Sequence, residues 1–411
     1  MNILMVNKYL YRRGGSEAYM FNLAEMLLRE GNHVNYFGLS DKRNDVPDDG
    51  LSIKGRDIAE YNFLDKLRAP VHLIYSSNAR KLFSKSVRRY NPDIIHINNF
   101  NFQITPSILF EAKKLGKKVV LTVHDPQLVC PNHRLYIPSK NTVCEDCRGG
   151  KFYKCLVNRC FDGSLSKSVV GAIESTLYRR LDVYRKYVDL IISPSYFLKN
   201  KLEELGFKHP NIKIIPNFVS SPKKDITSNK DAYILYFGRI SIEKGLPTLI
   251  KAVESLENRS ISLKIVGDGP MKLEIMDYLK TKSSDRIEYI GFKTGNELDT
   301  LIEKAKMSIY PSEWYENCPL SIIESFSLGT PVIGSNLGGI PELIDDGING
   351  FVYKPGDHLQ LAEKIQDLFY DDTKISLFSK NASQKYLSNY TGEQYYKKLM
   401  EEYKNLINEN V

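Results

Sequence analysis

Residues 314–324 read Trp-Tyr-Glu-Asn-Cys-Pro-Leu-Ser-Ile-Ile-Glu and set two carboxylates, Glu316 and Glu324, on either side of what reads as a helix start. Pro319 suits the first turn of a helix, where its missing N–H costs nothing. Apolar residues follow, Gly329 ends the helix, and the strand-like Pro331-Val332-Ile333 begins. Glu324 then falls about one turn into the helix, on the side of the exposed N-terminal amides, which form a natural phosphate site. Glu316 stands in the loop just before. Amides that can hold a phosphate, between acids that can hold hydroxyls, suit a ligand carrying both, such as a sugar nucleotide. A solvated loop acid and a helix-face acid would read the same way in isolation, so the rest of the chain must decide.

The second candidate group is Tyr236-Phe237-Gly238-Arg239-Ile240-Ser241-Ile242-Glu243-Lys244-Gly245. Arg239 and Lys244 follow a predicted strand and have glycines on both sides. Arginine offers a fork that matches phosphate, and lysine adds a mobile point charge. Each charge-assisted contact contributes about 1.5–3 kcal/mol, so the two could hold a diphosphate leaving group and stabilise it as its bond breaks. Two further glycine turns, Val266-Gly267-Asp268-Gly269-Pro270 and Gly14-Gly15-Ser16-Glu17, sit where strands give way to helices. Glycine there lets backbone approach a ligand closely, although neither turn is the Gly-x-Gly-x-x-Gly dinucleotide fingerprint. His124-Asp125 closes another strand, at the edge where open α/β sheets bind ligands. His124 could bond a sugar hydroxyl and Asp125 could orient the ring. No Asp-x-Asp pair occurs in the sequence. Such a pair would be expected if carboxylates held a divalent ion on a sugar nucleotide; Arg239, Lys244 and helix amides can neutralise the charge instead.

These residues must be positioned by a scaffold, and the chain predicts one. Short apolar runs alternate with amphipathic stretches. Candidate strands are Ile3–Val6, Val34–Gly38, Asp93–Ile97, Val119–Val123 and Leu190–Ser193. A second series begins at Ile212–Ile215 or at Tyr233–Phe237 and continues with Leu263–Val266, Ile287–Ile290, Ser308–Tyr310, Val332–Gly334 and Gly350–Tyr353. Predicted helices include Glu17–Arg29, Gly171–Tyr187, Leu246–Leu256 and Leu320–Leu328. Near-continuous apolar strands alternating with helices predict parallel sheets covered on both faces, and two series predict two doubly wound domains. The expected division is residues 1–215, with a Cys-bearing insertion at 130–160, then 216–390, then a C-terminal helix over 391–411 that could pack back on the first domain. Pro216–Lys230, polar and Pro-broken, reads as the linker.

A chain of 411 residues with 42% hydrophobic and 26% charged residues has the make-up of a two-domain globular protein. No apolar run reaches the roughly 18 residues that span a bilayer, and the N-terminus lacks a basic leader, so a cytoplasmic location is expected. The net charge of +8 fits anionic small molecules or an anionic membrane surface and is too diffuse to argue for nucleic acid. Two segments mix basic and apolar residues, Arg80–Tyr90 and Tyr178–Lys186, and could rest on the inner face of a membrane. Cys144, Cys147, Cys155 and Cys160 could form a structural, non-catalytic zinc site; the alternative is a set of reduced thiols. Cys318 lies inside the phosphate-facing turn.

Taken in order and spacing, the motifs resemble the retaining glycosyltransferases of family 4, of the GT-B fold and the bacterial surface-polysaccharide type. The resemblance spans nearly the whole chain: Gly14-Gly15, His124-Asp125, Gly238-Arg239…Lys244-Gly245, Val266–Pro270, Pro311-Ser312-Glu313…Glu316…Glu324, Gly329–Ile333 and Gly338-Gly339-Ile340-Pro341-Glu342. It implies two Rossmann-like domains facing a central cleft, with Arg239 and Lys244 on the donor diphosphate, Glu324 on the nucleotide ribose and Glu316 beside the transferred sugar. It further implies His124 at that sugar, Gly15 near the phosphates and the turn Asn317-Cys318-Pro319-Leu320 against the donor. The implied activity moves a sugar from a nucleotide sugar, with UDP favoured over GDP, to a hydroxyl of a glycan or lipid-linked acceptor, without a catalytic metal or other cofactor. The chain departs from the pattern at Asn217-Phe218-Val219-Ser220, where the family often has Asn-Gly-Val-Asp, and in the 130–160 insertion. A sugar-nucleotide epimerase or a phosphorylase on the same scaffold is the alternative within enzymes, and a non-catalytic binding module the alternative outside them.

Overall fold

The computed structural model describes residues 1–47, 49–54, 70–220, 230–282 and 285–408. The chain divides into two compact units, one of residues 1–216 together with the chain from Tyr395 onward, the other Asn217–Gln394. Most of the expected linker, 221–229, lies outside the described residues.

The first unit is built on six parallel strands, β1 (Asn2–Val6), β2 (His33–Phe37), β3 (Ile94–Ile97), β4 (Lys118–Thr122), β5 (Leu190–Ser193) and β6 (Ile212–Ile214), in the order β6-β5-β4-β3-β1-β2. Ile3, Leu4, Met5, Val6 and Val119–Leu121 are wholly buried, as strands covered on both faces must be. Ile212–Ile214 thus ends the first sheet, and the second series begins at the later of its two expected starts. The long helix α1 (Gly15–Arg29) follows β1. The predicted helix Gly171–Tyr187 is instead two, α2 (Leu165–Arg180) and a short one at Val183–Tyr187. Asp182 breaks it by adopting a left-handed backbone at φ 56°, a conformation aspartate tolerates better than most residues.

The two basic segments differ in what they leave outside. In the helix Ser77–Tyr90, Phe83 and Val87 point into the core and Arg80 is tied to Glu111 at 2.8 Å. Beside the second segment, Ile173, Leu177 and Leu181 remain exposed. No described helix is long and apolar enough to cross a membrane.

The C-terminal helix α3 (Gly392–Asn408) buries Tyr395, Leu399, Tyr403 and Leu406. Tyr395 bonds Tyr19, and the Tyr403 hydroxyl meets His96 Nδ1 at 2.5 Å, while His96 Nε2 contacts Thr122 Oγ1 at 2.7 Å. Burial pushes His96 down to about 3, so this bridge is between neutral groups.

The second unit holds β7 (Asp231–Phe237), β8 (Ser262–Val266), β9 (Ile287–Gly291), β10 (Ala305–Tyr310), β11 (Val332–Ser335) and β12 (Gly350–Tyr353), all parallel, in the order β9-β8-β7-β10-β11-β12. The strand order reverses between β7 and β10. A crevice opens at such a switch point, outside the carboxyl ends of the strands, and the loops after β7 and β10 are the ones that carry the basic and acidic motifs.

Candidate active site

The loop after β7 makes one tight turn, Ile242–Lys244, and leaves through Gly245 at φ 70°. A Cβ on Gly245 would stand 1.8 Å from the Pro311 carbonyl oxygen, so only glycine lets this loop pass the loop after β10. The two loops are stitched together by Glu313 N donating to the Glu243 carbonyl at 2.8 Å and by the Thr248 hydroxyl donating to Glu313 Oε1 at 2.5 Å. From the next strand, Ser335 Oγ donates to the Ser312 carbonyl at 2.6 Å and Gly339 N to the Glu316 carbonyl at 2.7 Å.

That scaffold sets Lys244 on Glu316. The Lys244 ammonium donates to Glu316 Oε1 at 2.5 Å and lies 3.3 Å from the Tyr310 hydroxyl. Trp314 Nε1 and Ser312 Oγ donate to the same Glu316 oxygen at 2.5 and 2.9 Å. The side chains of Lys244 and Glu316 are only 17% and 11% exposed, so the pair is shielded from water. Burial works against both charges, yet each sustains the other: Glu316 keeps the ammonium well above the ordinary lysine range, and Lys244 with the Trp314 and Ser312 bonds keeps Glu316 below the usual carboxylate range. Lysine has three N–H donors, so two contacts leave one for an incoming phosphate. Sequence reasoning placed Lys244 and Glu316 on different parts of a ligand and did not see that they hold each other. It also passed over Ser312, Trp314 and Tyr310 as site residues; the Trp and Ser had no signal beyond standing two and four residues before Glu316.

Arg239 sits at the exposed end of β7, and no described side chain pairs with its guanidinium. The Tyr236 hydroxyl holds its carbonyl at 2.7 Å, which fixes the backbone and leaves the fork free to turn. The helix α4 (Leu320–Ser327) begins where expected and ends one residue early, with Pro319 as its cap at φ −66°, ψ 122°, and no side chain caps it. Ile322 N donates to the Pro319 carbonyl at 3.3 Å, and the Leu320 and Ser321 amides are left for water or a ligand. Asn217 Nδ2 orients the turn by donating to the Cys318 carbonyl at 2.8 Å. The Cys318 thiol is buried in an apolar cluster and pushed up to about 12 by that burial, so it fills space. Glu324 projects from α4 with no described hydrogen-bond partner for its carboxylate. Burial first, and the Asp299 charge second, push it up to about 7.

An acid whose pKa is raised by folding makes the fold less stable as pH rises from the ordinary carboxylate value of about 4.3 toward the folded one. Glu324→Gln is therefore expected to melt above the parent at pH 8 and to lose that advantage by pH 4.5. An advantage that is equal at both values, or absent at pH 8, would show that Glu324 is not held in a desolvated site.

In the first unit, β1 and β3 flank that sheet's switch point. Glu17 of α1 is buried and accepts from Asn7 Nδ2 at 3.3 Å, and Ser16 accepts from Asn99 Nδ2 at 2.8 Å. Gly15 opens α1, with Gly14 as an extended cap at φ −161°. His124 Nε2 bonds Asn98 Oδ1 at 2.9 Å, and its ring lies against Tyr19 at 4.8 Å. Burial pushes His124 down to about 3, so it is neutral at physiological pH and works by hydrogen bonding. Asp125, pushed up to about 7 by burial, stands 4.0 Å from His133.

Cys144, Cys147, Cys155 and Cys160 gather in one apolar cluster with Ile137, Phe152, Phe161 and Ala172. Among the described residues no three His, Cys, Asp or Glu side chains are grouped to hold a metal ion. The zinc expectation draws no support from this arrangement. Burial, and after it the neighbouring Cys130, Cys160 and Cys144 thiols, push the Cys147 thiol up.

Two doubly wound parallel sheets, each with polar loops at its switch point, make the fold GT-B. Residues 13–221 match the model of Glycosyltransferase Family 4, and residues 220–385 that of Glycosyl transferases group 1. The chain belongs to glycosyltransferase family 4. It is 25% identical over 358 residues to an uncharacterised 42.6 kDa protein of the cps region of Klebsiella pneumoniae, covering 84% of this chain and 87% of that one. It is 25% identical over 305 residues to a sulfoquinovosyl transferase of Arabidopsis thaliana, covering 72% of this chain and about half, 53%, of that one. Among solved structures, a sucrose-phosphate synthase of Thermosynechococcus elongatus superposes with a TM-score of 0.72 at 19% identity, each chain covered to 98%. An Anabaena protein in complex with UDP-glucose superposes at 0.66 and 17%, covering 97% of this chain and 99% of that one.

Proposed function

We propose that this glycosyltransferase moves a sugar from a UDP-sugar to a hydroxyl of a glycan or lipid-linked acceptor, retaining the anomeric configuration, in the assembly of a cell-surface polysaccharide. The observation that carries the donor reading is the Lys244–Glu316 pair at a sheet switch point, with the unpartnered Arg239 fork and the uncapped α4 amides in the neighbouring loops. Lys244 and Arg239 take the charge that grows on the leaving diphosphate. Glu324 accepts from ribose hydroxyls, and Glu316 orients Lys244 and faces the positive charge at the anomeric carbon. The departing phosphate oxygen takes the acceptor's proton, which accords with a neutral His124 and no dedicated base. Gly15 and His124 keep their expected roles at the phosphates and the sugar. Two cations and a helix terminus supply the neutralisation that a divalent ion would, so turnover needs no metal. The Anabaena neighbour's bound UDP-glucose supports the choice of nucleotide, and the capsule-region relative supports the setting.

The test is a thermal-shift panel of UDP-, GDP-, ADP- and dTDP-sugars. A true donor at a hundredfold excess over its Kd stabilises the fold by about 2.7 kcal/mol. A UDP-sugar should give the largest shift, and turnover of that donor should survive EDTA. No shift from any sugar nucleotide would remove the donor reading, and turnover abolished by EDTA would remove metal independence.

A further inference from the structure

The first unit contains a cavity of about 360 Å³ that none of the residues above explains. It lies between the loop after β4, helix α2, the break at Asp182 and the turn Gly206–Lys208. The volume is within the range of small-molecule sites. Two polar side chains on its wall are almost wholly buried: Glu174 is 3% exposed and Gln127 6%. Glu174 Oε2 receives a long bond from Ser175 at 3.4 Å, but Glu174 Oε1 has no partner, and neither has Gln127 Nε2. Folding alone does not favour this. A buried carboxylate oxygen and a buried amide N–H left without partners are costly, and apolar groups of the same shape would pack there at no loss. Their chemistry suits a group that both donates and accepts, as a hydroxyl does in donating to Glu174 Oε1 and accepting from Gln127 Nε2.

The rest of the wall narrows the ligand further. Tyr178 and Tyr184 supply ring surface. Arg185 is committed to Asp182, with Nε on Oδ2 at 2.6 Å. Arg179 gives one N–H to the Gly206 carbonyl at 2.7 Å, which leaves most of its fork, and Lys208 is exposed with no described ion pair. The mouth therefore has a surplus of positive charge over a floor of hydroxyl-matching groups and aromatic walls.

We propose that this cavity is a subsite for a uronic acid unit of the acceptor glycan. Ring hydroxyls bridge Gln127 and Glu174, the ring's C–H face lies on a tyrosine, and the carboxylate turns out toward Arg179 and Lys208. The assignment to an acceptor rests on the glycosyltransferase reading; the sugar-binding chemistry of the cavity does not. Burial, which pushes the Glu174 carboxyl up to about 7, is compatible with either form of the acid meeting a hydroxyl.

Saturation-transfer NMR titration of the full chain with methyl β-D-glucuronide tests this, with methyl β-D-glucoside as the uncharged probe and a UDP thermal shift run on the same samples. Saturable glucuronide binding is expected, weaker for the glucoside and weakened at least tenfold in Glu174→Leu and in Gln127→Leu. Glu174→Leu should melt no lower than the parent and keep its UDP shift, a combination that a merely structural carboxylate would not give. Should Glu174→Leu fail to fold, Gln127→Leu carries the test. Absent glucuronide binding, or binding untouched by the substitutions, overturns the proposal. A lost UDP shift with glucuronide binding intact would instead overturn the donor reading and leave the subsite standing.

Discussion

Glu316→Ala is expected to cut turnover at least a hundredfold and to cost about 3 kcal/mol of stability. The first figure is about 2.7 kcal/mol of barrier. It follows from three donors, Lys244, Trp314 and Ser312, meeting on one carboxylate oxygen: without it the ammonium that should face the leaving phosphate has no fixed position. The second follows from the burial of the pair. Removing one partner leaves a charge largely out of water, which costs about 3–5 kcal/mol for buried pairs, and the lower end suits side chains that keep some exposure. The sign with pH is fixed as well. Glu316 is held low by Lys244, so its share is present above the ordinary carboxylate range and lost only in acid as pH falls through the lowered value. Lys244 is held high, so its share is present below the ordinary lysine value and lost only as pH rises past it. The stability difference between parent and Glu316→Ala should thus be flat from about pH 6 to about pH 9. Chemical denaturation at three pH values reads this directly. Lys244→Met in the Glu316→Ala background should recover part of the stability and none of the turnover, and additive losses would show that the two residues do not act as a pair.

The second large effect is expected at a residue with no chemistry of its own. A Cβ on Gly339 would lie 1.8 Å from the Asn317 carbonyl oxygen, and backbone cannot yield as a side-chain tip can. The same amide holds the Glu316 carbonyl at 2.7 Å. Gly339→Ala must therefore push the loop that carries Glu316 and Asn317 away from its neighbour. The expected result is a loss of about 2–3 kcal/mol, at the upper end for forced overpacking, with donor binding weakened at least tenfold. A Gly339→Ala chain that melts and binds as the parent does would mean that the loop after β11 does not set the Glu316 loop. Gly347→Ala is the control: its Cβ meets nothing within 4 Å, so strain at its φ of 74° is the whole of its cost.

Much of this was legible in the chain. The buried strands announced themselves as apolar runs, and the motif residues fell in the loops after β7, β10 and β4 because strand ends are where apolar runs stop. What could not be read was tertiary. Lys244 and Glu316 meet because β7 and β10 are neighbours across the switch point, and nothing in a stretch of sequence states that adjacency. Trp314 and Ser312 lie in a loop, where no periodicity marks a side chain as inward. Ile212–Ile214 could have closed the first sheet or opened the second, because a short apolar strand carries no label for its partner. Asp182 splits a stretch with helical periodicity on both sides, a backbone choice that the amphipathic pattern hides. The basic helix Ser77–Tyr90 looked mixed along the sequence, yet Phe83 and Val87 turn inward and leave Lys81, Lys85, Arg88 and Arg89 exposed. The four insertion cysteines have spacing that fits metal binding; Cys147, Cys155 and Cys160 lie buried with Ile137, Phe152 and Ala172, and Cys144 is partly exposed beside them.

The most direct test of the central claim, that the loops after β7 and β10 grip the nucleotide sugar, is amide hydrogen exchange with and without UDP. Protection is predicted in segments 238–245 and 311–324, and its loss in Lys244→Met. Protection that falls elsewhere in the chain while both segments exchange unchanged would contradict the account.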